Sequence, residues 1–82
     1  MSFQPAELQS RRIARGVSLQ QIARDTMIGT RYLEAIERGA FEKLPGGVYT
    51  TSYLRQYARA AGCDEAALIH YYREVTGAIL SD

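Results

Sequence analysis

The chain has 82 residues, 46% hydrophobic and 23% charged, with ten Lys plus Arg against nine Asp plus Glu and a formal net charge of +1. So short a chain buries only about 60–65% of its unfolded surface and needs nearly every large apolar side chain for one core, which excludes a disordered tail, a low-complexity linker and a deep cleft. The charge balance excludes a global field toward nucleic acid or anionic membrane, although it still permits a basic face, and the single cysteine, Cys63, excludes an internal disulfide or a CxxC metal site.

No apolar run is long enough to span a bilayer, and "MSFQPAELQ" lacks the basic start and hydrophobic stretch of a secretory signal, so the expectation is a cytoplasmic chain in a reducing compartment. Glycine and proline punctuate the sequence in a helical rhythm, with no stretch alternating as a half-buried strand does. The fold class expected is all-α, with five helices near residues 5–15, 18–25, 30–38, 48–61 and 64–76 in one domain over 1–77, followed by a tail at 78–82.

The first helix starts at Pro5, suited to a first turn, and stops at Gly16, with Leu8 and the stem of Arg12 facing inward. The second opens on "SLQQ", a capping box in which Ser18 accepts from the amide three residues on while Gln21 reaches back. Leu19, Ile22 and Ala23 form its apolar stripe. After the short turn "TMIG", the third helix carries Leu33 and Ile36 inward with Tyr32 flanking them. Two short helices joined by three or four residues including a glycine are the helix-turn-helix signature. The segment "AFEKLPGG" holds too many breakers for a helix, and Phe41 and Leu44 there plug the core. The fifth helix opens at Asp64, an N-cap, and places Leu68, Tyr71 or Tyr72 and Val75 on one stripe, which Ile79 continues in phase beyond the stop expected at Gly77.

The fourth helix carries Tyr49, Tyr53 and Tyr57 at a spacing of four. At about 100° per residue, Leu54, Tyr57, Ala58 and Ala61 share a core arc roughly 100° wide. Each step of four drifts about 40°, so Tyr57 lies about 50° from the centre of that arc, Tyr53 about 90° and Tyr49 about 130°. Tyr57 is therefore structural and Tyr53 stands at the boundary. Tyr49 is either exposed or folded back over Phe41 or Leu44. Tyr49 and Tyr53 share their side with Gln56 and Ala60, while Arg55 and Arg59 occupy the other flank. An uncharged strip with two tyrosines has the composition of an interface centre, where aromatic anchors are enriched and charges depleted.

"SLQQIARDTMIGTRYLEAIERG" resembles the helix-turn-helix of the Xre and lambda-repressor-like group, and its continuation "AFEKLPGGVYTTSYLRQYARAAGCDEAALIHYY" narrows the likeness to the cytoplasmic helix-turn-helix domain of the RodZ family of bacterial cell-shape proteins. The resemblance covers the chain from about Leu8 to Tyr72. It implies a five-helix lambda-repressor-like domain that docks on the actin-like filament protein MreB ahead of a transmembrane helix. The aromatic residues that make this contact match Tyr49 and Tyr53, the two that the projection sets outside the core. No basic juxtamembrane run or membrane span follows in this sequence, so the expectation is a fragment of a longer membrane-anchored protein or a soluble relative. The resemblance also implies that Arg12 and Glu37 form a buried ion pair tying the first helix to the end of the third, as scaffold rather than site.

Double-stranded DNA is the alternative partner. Repressor-like proteins read base edges with the start of the third helix, here Thr30, Arg31, Glu34, Ala35 and Arg38, with Gln20 near the start of the second helix. Arg31 can grip a guanine edge, but Ala35 offers only a methyl, and Glu34 and Glu37 cancel Arg31 and Arg38. Catalysis has no footing: His70 falls on the outer side of the fifth helix, away from Cys63, and no serine or carboxylate pair is spaced for a triad or dyad. One His and one Cys are too few for a metal site. No cofactor or small-molecule ligand is expected.

Overall fold

The computed structural model describes residues 3–77. Five α-helices follow one another in it: α1 (Ala6–Ala14), α2 (Leu19–Thr26), α3 (Thr30–Arg38), α4 (Gly47–Ala61) and α5 (Glu65–Thr76). The fold is all-helical, with no strand among the described residues.

Local chemistry sets the boundaries. The Ser18 hydroxyl accepts from the Gln21 amide at 3.0 Å and an Asp64 carboxylate oxygen from the Ala67 amide at 3.1 Å, satisfying one of the free donors at the starts of α2 and α5. The capping box at Ser18 is half formed, because the Gln21 side chain stays exposed instead of reaching back. The Phe41–Lys43 stretch, expected to be free of helix, closes as one 3-10 turn. α4 then starts at Gly47, one residue earlier than its sequence suggests, and the Gly46 amide donates to the Thr50 hydroxyl at 2.8 Å.

The core is filled from every element. Leu8, Ile22, Leu33, Ile36, Leu54, Tyr57 and Leu68 are fully buried, with Phe41 and Leu44 sealing one end. Each such side chain contributes about 1.5–3 kcal/mol of burial free energy. Phe41 meets Tyr72 edge-on at 5.3 Å and Tyr71 at 6.0 Å, and Tyr71 meets Phe3 at 5.0 Å, so an aromatic cluster joins α5 to the 3-10 turn and the N-terminal segment. Beyond the expected stripe of α4, Thr50 and Thr51 are also buried. They continue the spacing of Leu54 and Ala58, and only their hydroxyls disguise them.

Two expectations need correcting. Val75 falls on the α5 stripe by spacing yet is 53% exposed, because in the last turn of α5 it faces an open groove beside Phe41, Leu44 and Tyr72 that no side chain fills. Ile79 lies outside the described residues. Ala35, placed on a reading face, is buried, and Ile28, within a presumed turn, is buried as well. Ile28 turns inward because Met27 takes the left-handed conformation, φ 64°, which swings the chain and leaves the methionine 87% exposed.

Candidate functional site

The three tyrosines of α4 follow the drift of the helix: Tyr57 is fully buried, Tyr53 half-buried and Tyr49 64% exposed. Tyr49 therefore does not fold back over Phe41 or Leu44. Beside it Val48 is 78% exposed, so the first turn of α4 presents two large apolar side chains to solvent. Gln56 and Ala60 are half-buried further along, with the Gln56 amide donating to the Ser52 hydroxyl at 3.1 Å. On the other flank Arg55 and Arg59 lie 3.6 and 3.0 Å from Glu65, tying α4 to α5.

Tyr53 does not stand alone. Its ring packs at 5.6 Å, tilted, on that of Tyr32 from α3. Tyr32 in turn holds Arg31: the guanidinium lies 4.8 Å from the ring centre and Nη2 donates to the phenol oxygen at 3.0 Å. Arg31, Tyr32 and Tyr53 thus form a continuous ladder from α3 to α4. Sequence spacing cannot reveal it, since it depends on how two helices cross. The other residues of the DNA alternative, Gln20, Thr30, Glu34 and Arg38, are all exposed. Arg31 is exposed too, with Nη2 engaged by the Tyr32 phenol at the edge of the aromatic row.

Beneath this surface lies a buried polar cluster. Arg12 donates through Nε to Glu37 at 2.5 Å and through Nη2 at 3.3 Å, while Nη1 reaches the Val17 carbonyl at 3.0 Å. The Tyr57 hydroxyl donates to the same carboxylate at 2.6 Å. α1, α3 and α4 therefore meet on one carboxylate. The bond to Glu37 raises the Arg12 pKa, against the opposing effect of burial. Burial first, and the Glu37 carboxylate second, hold the Tyr57 phenol well above its ordinary value. Half-buried Cys63 is pushed up by burial, with Arg11 drawing it back. His70 points outward and sits 3.3 Å from Glu74. Among the described residues no group of His, Cys, Asp and Glu is arranged to hold a metal ion.

A helix-turn-helix domain family matches residues 7–68 of the chain. The chain belongs to that family. It is 38% identical over 61 residues to the cytoskeleton protein RodZ of Streptococcus pneumoniae, covering 74% of this chain and 22% of the relative. It is 34% identical over 58 residues to the uncharacterized membrane protein YmfM of Bacillus subtilis, covering 71% of this chain and 20% of that protein. The domain is thus a RodZ-like helix-turn-helix module, and the chain spans about a fifth of the length of the curated relatives it matches. No solved structure gives a significant match. Among the described residues no helix is long and apolar enough to cross a membrane.

Proposed function

We propose that this RodZ-like domain is a protein-docking module that binds an actin-like filament protein of the MreB kind through Tyr49 and Tyr53, with Gln56 and Ala60 completing the contact. The observation that carries the reading is the uncovered first turn of α4. Tyr49 is 64% exposed and Val48 78% exposed in a small domain that buries its other tyrosine rings at least in part. Burying a tyrosine removes on the order of 150–250 Å² from water, so two such anchors can dominate a modest interface. The relation to a cytoskeleton protein supports a partner of that class. The role is one of docking, not of catalysis, and its place is the cytoplasm, where such filaments assemble. The short span of the chain relative to its relatives, one of them a membrane protein, supports a longer parent with a membrane anchor.

Pull-down of the filament protein by the Tyr49→Ala/Tyr53→Ala variant is the test. Lost binding with an unchanged circular dichroism spectrum supports docking, and undiminished binding rejects it. The exposure of Gln20, Thr30, Glu34 and Arg38 along the helix-turn-helix favours DNA as a second reading. It requires duplex binding that falls steeply with salt and loses sequence preference in Arg31→Ala.

A further inference from the structure

A groove runs along the outer side of α3, lined by Arg31, Tyr32, Glu34, Ala35, Arg38 and Lys43. Three of these six carry a positive charge and one a negative charge, in a chain whose formal total is only +1. The groove is therefore a local basic site that the overall charge conceals. We infer that it binds an acidic, carboxylate-bearing segment of the same partner that the tyrosines engage, a reading that rests on the docking function proposed above.

Several features favour an acidic protein segment over nucleic acid. Tyr32 belongs both to the groove and, through its 5.6 Å contact with Tyr53, to the tyrosine row, so groove and row form one continuous surface. A partner seated on the tyrosines is thereby brought to the cations. Arg31 is also preordered, its guanidinium lying 4.8 Å from the Tyr32 ring centre and bonded to the phenol, which lowers the entropy lost when it meets a carboxylate. Glu34 stands among the cations and repels the fixed, evenly spaced phosphates of a duplex, whereas the flexible side chains of a glutamate-bearing peptide can turn from it toward Arg38 and Lys43. The buried methyl of Ala35 leaves room for an extended chain between them.

Fluorescence anisotropy with a labelled oligoglutamate peptide, an oligoglutamine peptide of equal length and a labelled random-sequence DNA duplex tests the groove directly. The full chain should bind oligoglutamate and not oligoglutamine. Arg38→Glu/Lys43→Glu should weaken oligoglutamate binding about tenfold, from two exposed charge pairs lost and reversed. The neutral variant Arg38→Gln/Lys43→Gln, which adds no repulsion at the end of α3, should fall between them. Co-sedimentation with the filament protein should weaken in the same order. Tighter binding of duplex than of oligoglutamate overturns the inference in favour of nucleic acid, and oligoglutamate binding unchanged by charge reversal overturns it outright. If Tyr49→Ala/Tyr53→Ala leaves co-sedimentation intact while the peptide results hold, the docking reading fails and the groove's preference for acid stands.

Discussion

Replacing Glu37 by alanine should be the most damaging single change in this domain. The Glu37 side chain is 8% exposed and that of Arg12 10%, and three hydrogen bonds converge on the carboxylate from Arg12 and Tyr57. Truncation strands a buried charge, at a cost of about 3–5 kcal/mol, and leaves the buried Tyr57 hydroxyl without its acceptor, a further 1–3 kcal/mol or so. A domain of this length has on the order of 4–12 kcal/mol of stability in total. With each kcal/mol moving Tm by about 4–8 °C at this size, the ion-pair loss alone should lower it by roughly 12–40 °C. Thermal melts followed by circular dichroism, with urea titrations beside them, measure this. The informative contrast is Arg12→Met/Glu37→Leu/Tyr57→Phe, which removes the whole cluster and strands no charge, leaving only the Val17 carbonyl without its Arg12 donor. It should come back to within about 2 kcal/mol of the parent, because a buried ion pair adds little over well-packed apolar groups. If Glu37→Ala melts within a few degrees of the parent, the cluster is solvated in solution and the reasoning fails.

Stability should also fall at alkaline pH. The unfolded chain releases a tyrosine proton near pH 10, whereas burial and Glu37 keep that of Tyr57 in place. The contribution is full below about pH 10 and is lost as pH rises beyond it, and Tyr57→Phe should flatten that part of the urea-titration profile. Gly62→Ala should cost more than Gly16→Ala, although both glycines have φ near +75°, when the two melts are compared. A Cβ at Gly62 would lie 2.6 Å from Arg15 Nη1, while nothing lies within 4 Å of one at Gly16. The strain common to both is about 1–2 kcal/mol, and the displaced Arg15 adds to it only at Gly62. Tyr49→Ala should leave Tm within about a degree or two of the parent, since its ring is mostly in water, while Tyr53→Ala should lose about 0.5–1.5 kcal/mol of ring packing on Tyr32. Equal melting of the two variants would show that the Tyr32 contact carries no stability.

Much of the architecture is legible along the chain because helices are local objects. The Ser18 and Asp64 caps, the glycines at 39, 62 and 77, and the three-and-four spacing of Leu54, Tyr57, Ala58 and Ala61 act over a few residues, and each can be read where it stands. The gradient of burial from Tyr57 to Tyr49 is of the same kind, since it follows from helical pitch and one core direction.

Burial at the ends of elements is different. Val75 has the right phase and stays exposed, because a phase names a direction and only a neighbour can cover it. Ile28 and Met27 divide inside and outside through one left-handed residue in a stretch with no periodicity to read.

Helix number, caps and the inward side of α4 were therefore in the amino-acid order, set by backbone hydrogen bonding and pitch within single turns. The Arg12–Glu37 tie was implied by the family resemblance, whereas the joining of α4 to it through the Tyr57 hydroxyl and the packing of Tyr32 on Tyr53 were settled only by the crossing of helices. The Arg12–Glu37, Tyr57–Glu37 and Tyr32–Tyr53 contacts join residues about 20 positions apart or more, and at that separation the packing of whole faces decides which side chains touch.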